Sequence, residues 1–175
     1  CIVELWADGR KLVFSGDLGP KGTPILRDPT VIDEADLVLM ESTYGDRNHR
    51  ERLDTIKELG GIFDDAWRDH GNVLIPAFAV GRTQELLYWF ALHWDEWQLS
   101  RWRIFLDSPM AAKVVSIYDR HASLFDADAK QVWKQKPNPF KLPNLHVTQS
   151  TAESMAINRI ESGAIVIAGS GMANG

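Results

Sequence analysis

DLVLMESTYGD, residues Asp36–Asp46, is the stretch on which the reading of the fold turns. Four apolar residues in a row, Leu37 to Met40, read as a strand buried on both faces, and a carboxylate, Glu41, stands where that strand stops. Ser42, Thr43, Tyr44 and Gly45 then form a polar turn with a glycine where a helix could start. In an open α/β sheet that is the usual place for a ligand cleft. KLVFSGDLG, Lys11–Gly19, has the same form upstream: it is apolar through Phe14 and ends in Ser15, Gly16 and Asp17. Two acids at two strand ends are the first functional clue.

Outward from these acids, Ile2–Trp6 and Lys11–Phe14 flank an Asp8-Gly9 pair, a hairpin signal. LGPKGTPILRDPT, immediately after Asp17, is too rich in Gly and Pro for a regular element. Between Asn48 and His70 the residues Leu53, Ile56, Leu59, Phe63 and Trp67 recur in steps of three or four, the stripe of an amphipathic helix that Gly60-Gly61 could bend. Val73–Ile75 reads as a short strand closed by Pro76. AFAVGRTQE leads into a second helix bearing Leu86, Leu87, Phe90, Ala91, Trp94 and Trp97. Ile104–Leu106 is the next strand and ends in Asp107; Ser108 suits an N-cap and Pro109 the first turn of a helix to about His121. Asp126–Gln135 reads as helical, whereas KPNPFKLPN reads as a surface loop and the most mobile segment. Leu145–Thr148 is strand-like, Ser150-Thr151-Ala152-Glu153 has the form of a capping box before a helix with Met155, Ile157 and Ile160, and Ala164–Ala168 is the last strand. This alternation predicts an α/β fold, a largely parallel sheet with helices on both faces, preceded by a β-hairpin.

A chain of 175 residues with 45% hydrophobic and 25% charged residues has an ordinary globular composition. Folding at this size buries about 70% of the unfolded surface, so a core needs no covalent staples. No apolar run approaches the roughly 18 residues of a membrane span. The single cysteine, Cys1, forms no internal disulfide or thiolate cluster, which fits a reducing compartment, the cytoplasm by default. A net charge of -5 argues against coating nucleic acid through global positive charge, and leaves room for an enzyme that acts on RNA in a local cleft. The ends, CIVELW and GSGMANG, read as cut from a longer protein.

The residues that follow the strands are, in order, Asp17, Glu41, Ala77–Arg82, Asp107-Ser108, Ser150, then Gly169-Ser170-Gly171. In one parallel sheet these ends share an edge, so acids, hydroxyls and an arginine would converge there and suit metal binding or acid–base work. Each acid taken singly could equally be a cap or turn former. Arg82, after Gly81 and before a helix, suits RNA phosphate, or a nearby carboxylate. Ser108 suits an N-cap over ligand contact, and Ser170 sits in a turn offering donors to phosphate. The five histidines form no metal-binding pattern and read as surface or structural, with His49, eight residues after Glu41, the one placed to line the cleft. Trp89, Trp94 and Trp97 fall in an apolar helix and read as core or interface packing over base stacking. A homodimer is left open.

The segments FSGDLG (Phe14–Gly19), ESTYGDRNH (Glu41–His49), IPAFAVGRTQELL (Ile75–Leu87), FLDSPMA (Phe105–Ala111) and SGMANG (Ser170–Gly175) together resemble the metallo-β-lactamase-fold nucleases of the β-CASP group. That group includes the endonuclease of messenger-RNA 3′-end cleavage and its prokaryotic relatives. The resemblance is in order along nearly the whole chain. It implies that residues 1–41 are the last strands of the first lactamase segment and 42–175 the β-CASP domain, truncated at its C-terminal end. It implies a zinc-dependent hydrolase of RNA phosphodiester bonds acting on single-stranded RNA, with two zinc ions in the intact parent. Asp17 resembles the family's zinc-bridging aspartate. Glu41 resembles the acid that orients a histidine as proton donor to the leaving group. The family's His-x-His-x-Asp-His motif and its late histidines have no counterpart in these residues, so the chain alone is expected to be inactive and to bind no stoichiometric zinc. A non-catalytic RNA-binding scaffold is the alternative. A free-standing nucleotide-binding domain fits less well, because Gly169–Gly175 has the wrong spacing for the dinucleotide fingerprint.

Overall fold

The computed structural model describes residues 1–135 and 138–169. It contains two sheets. Val3–Ala7 (β1) and Arg10–Phe14 (β2) form an antiparallel hairpin. Asp8 and Gly9 between them both have positive φ, +50° and +73°, as a two-residue turn matched to strand twist requires. Leu37–Leu39 (β3) then pairs parallel with β2, Leu12 opposite Leu37 and Phe14 opposite Leu39. The pairing extends at both ends: Asp36 N–H donates to the Lys11 carbonyl at 2.8 Å, and Ser15 N–H to the Leu39 carbonyl at 2.9 Å. The expectation that β3 is buried on both faces is corrected, since Leu37, Val38 and Leu39 are 52%, 53% and 46% exposed. The reason is topological: β3 is the edge of a three-stranded sheet β1-β2-β3, outside the larger sheet, and Val13 is the one buried strand residue there.

The larger sheet is wholly parallel. Val73–Pro76 (β4), Arg103–Asp107 (β5), Leu145–Val147 (β6) and Ala164–Ala168 (β7) lie in the order β4-β7-β5-β6. Register places Val73, Ile165 and Ile104 in one row and Ile75, Ile167 and Leu106 in the next. Side chains alternate across a strand, so these six form one apolar face. The helices are Arg52–Arg68 (α1), Arg82–Leu92 (α2), Pro109–Arg120 (α3), Ala127–Gln135 (α4) and Thr151–Ile157 (α5). Phe63 of α1, Leu87 and Phe90 of α2, Ala111 and Val115 of α3, and Ala129 of α4 join that face in a single core. Residues of opposite parity are more open, Leu74 being exposed and Phe105 half-buried. No helix among the described residues is long and apolar enough to cross a membrane.

Several boundaries differ from the pattern reading for local reasons. Gly60-Gly61 does not break α1, which runs through both from Arg52 to Arg68; a Cβ on Gly60 would lie 2.6 Å from Trp97 Nε1, so the missing side chain admits the indole. Helix α2 ends at Leu92 rather than running through Trp97. His93 comes next as its C-cap, and Gln98 takes a left-handed φ of +48°. Trp97 nevertheless packs in the core with Trp102, and Trp89 and Trp94 pack against it. The proline-rich segment is not a free surface loop: Pro139 is buried, and Phe140 and Leu142 belong to the core, Phe140 meeting Trp133 edge-on at 5.1 Å. Lys136 and Pro137 lie outside the described residues. The loop after Asp17 is likewise anchored. Ile25 is buried in the helical core, and its carbonyl accepts from Asp126 N–H at 3.0 Å.

Candidate active-site groove at the strand ends

Parallel pairing of β2 and β3 brings their exits side by side, and the two strand-end acids with them. Glu41 Oε1 accepts from Leu18 N–H at 3.0 Å, and Glu41 N–H donates to Ser15 Oγ at 3.4 Å. The Glu41 carboxylate is thus held against the residue directly after Asp17. Gly16 permits the turn: its φ is +57°, and a Cβ there would sit 2.7 Å from the Cys1 carbonyl oxygen. Asp17 is exposed, and no hydrogen bond or ion pair among the described residues engages its carboxylate. It is open to a ligand.

Asp17 borders two clefts. One, of about 410 Å³, is shared with Ser15, Arg27 and Asp28. The other, about 470 Å³, runs between the loop at Leu18–Leu26 and the loop before α2, where it meets Phe78, Val80, Arg82 and Tyr118. A further cleft of about 570 Å³ shares Arg82 and Glu85 with the second and adds Lys21, His49, Arg50 and Arg52. Asp17 and Arg82 therefore border one cleft, and Arg82 and His49 the cleft next to it. Burial pushes the Tyr118 hydroxyl above its ordinary value, so it stays protonated at neutral pH.

Arg82 donates from Nη1 to Glu85 Oε2 at 2.6 Å, on a carboxylate that is largely buried. This is the nearby carboxylate that its sequence position allows, yet the arginine is 63% exposed and a guanidinium has further donors to offer the groove. His49 packs on Tyr44, ring centroids 4.2 Å apart, with Arg47 over the same ring. Three of the other four histidines serve the scaffold: His93 contacts Glu96 at 2.6 Å and stacks on Trp97, His146 stacks on Phe105, and His121 caps α3; His70 is exposed in the turn after α1, with a φ of +55°.

Ser108 is separate from the groove. Its Oγ caps α3 by accepting from Ala111 N–H at 3.1 Å, and Gly169 must lack a side chain because a Cβ would fall 2.2 Å from that oxygen. Ser170 lies outside the described residues. The expectation of a single edge shared by every strand end is therefore corrected: Asp17 and Glu41 close the small sheet, while Asp107 and Ser108 close the large one. Asp107, to which the sequence assigns no individual role, is a structural tie. Its oxygens accept from Thr148 Oγ1 at 2.6 Å and Ser154 Oγ at 2.8 Å, joining β5 to β6 and α5.

A metal ion needs several convergent donors. Among the described residues no group of three or more His, Cys, Asp or Glu is gathered to hold one. Asp17 fits a single ligand position, as an accessible hard anionic oxygen.

The sequence that folds in this way is similar to those of known proteins. The model of the Beta-Casp domain matches residues 83–175. Ribonuclease TTHA0252 of Thermus thermophilus is 44% identical over 174 residues, covering 99% of this chain and 40% of the relative. Endoribonuclease YSH1 of Yarrowia lipolytica is 29% identical over 136 residues, and endoribonuclease ysh1 of Schizosaccharomyces pombe 29% identical over 142. Those matches cover 76% and 80% of this chain, and 16% and 19% of the relatives. The chain thus spans two-fifths or less of the length of these relatives, and, with its C-terminal half matched by the family model, it belongs to the Beta-Casp domain family.

Proposed function

We propose that these residues are part of a metal-dependent RNA-processing nuclease that hydrolyses phosphodiester bonds of single-stranded RNA. The observation that carries the reading is the Asp17–Glu41 juxtaposition at adjacent strand exits, on a groove lined by Arg82. Ribonuclease names among the relatives support RNA as substrate.

In this reading Asp17 would be one ligand of a metal ion, zinc being the expected one, which when bound would lower the pKa of a coordinated water and offset negative charge on the phosphate. Glu41, fixed by Leu18 N–H through one oxygen, keeps its other oxygen to orient a histidine that protonates the leaving oxygen. Arg82 and His49 position the strand in the groove, and Ser170 supplies a donor to phosphate. Residues 1–41 would contribute the strands of a lactamase-type half and 42–175 the inserted domain. The 175 residues contain one of the metal ligands the family motif calls for, and alone they are expected to be inert. A reducing compartment, the cytoplasm, suits a chain whose single cysteine is exposed and free.

The test is hydrolysis of an end-labelled, unstructured RNA by the intact protein. Chelation should abolish cleavage and added zinc restore it, while the isolated 175 residues should leave the RNA whole. Robust cleavage by the isolated chain, or full activity after chelation, would overturn the reading.

A further inference from the structure

The loop from Ala77 to Gly81 has an alternation that its position outside any strand does not require. Ala77 and Ala79 are buried, whereas Phe78 and Val80 are each 61% exposed. The backbone that holds them out is fixed. Thr83 donates to the Phe78 carbonyl from both N–H and Oγ1, at 3.3 and 2.8 Å. Gln84 Nε2 donates to the Ala79 carbonyl at 3.1 Å, and Gln84 Oε1 accepts from Gly81 N–H at 2.7 Å. Thr83 and Gln84 are fully buried, and Ala77 N–H donates to the Ala168 carbonyl at 2.9 Å. A large ring presented to solvent by so constrained a loop has its solvent-facing position built in, and with the exposed Val80 and Leu26 in the same cleft it makes an apolar patch of the kind that marks a ligand surface.

The surroundings say which ligand. Phe78 lines the same groove as Asp17 and Arg82. The adjoining cleft carries four cations, Lys21, Arg50, Arg52 and Arg82, against Glu51 and Glu85 in its lining and Glu58, which pairs with the exposed Arg50 at 2.6 Å as Glu85 does with Arg82. This is a local excess of positive charge on a chain whose net charge is -5. Arg52 is held in place by the carbonyls of Gly22 and Lys21. An aromatic face beside a basic track is how single-stranded nucleic acid is bound without sequence preference, each base offering a π-face and each linkage a phosphate.

We infer that Phe78 is a stacking platform for one nucleobase of the RNA strand, and that Lys21 and Arg50 carry the phosphates leading away from it toward the outer end of the groove. The inference rests on the RNA reading above and adds a base-contacting residue and a polarity to it. Stacking on Phe78 fixes the strand's register relative to Asp17 without selecting a sequence.

The test is equilibrium binding by the intact protein, with metal chelated so that nothing is cut. The probes are an unstructured oligoribonucleotide and an abasic ribose-phosphate oligomer of equal length. Phe78→Ala is expected to weaken the base-bearing probe about tenfold, the lower part of the range for loss of one stack, and leave the abasic probe within about twofold. Phe78→Trp should restore binding, and a 2-aminopurine in the strand should be quenched by the wild type and not by Phe78→Ala. Lys21→Ala with Arg50→Ala should weaken both probes and lower the salt slope by roughly 0.7 per lost phosphate contact. Equal loss for both probes in Phe78→Ala, or no loss, overturns the inference. A lower melting temperature with unchanged RNA affinity also overturns it, assigning Phe78 to a contact within the protein. If the wild type binds neither probe, the RNA reading falls as well; if it binds both and Phe78→Ala is silent, only the stacking role falls.

Discussion

Glu41 acts, in the proposed nuclease, through where its carboxylate is held, because one oxygen is taken by Leu18 N–H beside Asp17, the proposed metal ligand. Glu41→Gln keeps an acceptor for that N–H and removes the charge that orients a protonated histidine. It is expected to lower RNA cleavage by the intact protein about 10- to 100-fold, the usual cost of losing an outer-sphere partner. It should also change the alkaline limb of the pH–rate profile while leaving the melting temperature within a degree or two. An unchanged profile would remove Glu41 from the proton path. Asp17 and Glu41 are legible in the sequence because an acid at the end of an apolar run stands out against its neighbours. Phe78 is not, since its exposure depends on the alternation imposed by Thr83 and Gln84. Asp107 is not either: its hydroxyl partners lie 41 and 47 residues away, beyond any local pattern.

The elements with matching local and tertiary preferences are the ones whose limits can be read directly. Ser108-Pro109 opens α3 as its cap and first-turn residues dictate, and Ser108→Ala should cost about 1 kcal/mol in denaturant melts, with Ser108→Asp retaining most of the stability. Ala164–Ala168 coincides with β7 because a continuous apolar run flanked by glycines has few other uses in a parallel sheet. Elsewhere the tertiary structure overrides the pattern. Helical periodicity continues through Trp94 and Trp97, but the backbone has left the helix and returns Trp97 against Gly60 of α1. Gly60→Ala improves helix propensity, yet its Cβ would overlap the Trp97 ring, so a net destabilisation of about 1–3 kcal/mol is expected. Neutral or raised stability would show that the contact relaxes freely. Phe140 and Leu142, set among prolines, look like loop residues because proline content reports the backbone and not what the side chains bury.

Across the molecule two sheets are joined through one groove, and the loop anchored by Ile25 connects the turn at Asp17 to the helical core of the larger sheet. That core contains Tyr88, whose hydroxyl is pushed above its ordinary value near 10 by burial first and by Asp126 and Asp128 second. A raised value in the folded state means that the native protein keeps a proton the unfolded chain releases. The Tyr88 contribution to stability should therefore be constant below about pH 10 and fall as pH rises beyond it, as should that of the partly buried Tyr118, so Tyr88→Phe is expected to flatten part of the fall seen in alkaline denaturant melts. The proposal that the acids at the exits of β2 and β3 are the chemical end of an RNA-cutting groove is tested most directly by single-turnover cleavage. The substrate is an end-labelled oligoribonucleotide, and the intact protein is compared with its Asp17→Ala and Glu41→Ala variants. Both variants are expected to fold and to lose at least roughly tenfold in rate, Asp17→Ala the more; cleavage by Asp17→Ala at the wild-type rate would contradict the proposal.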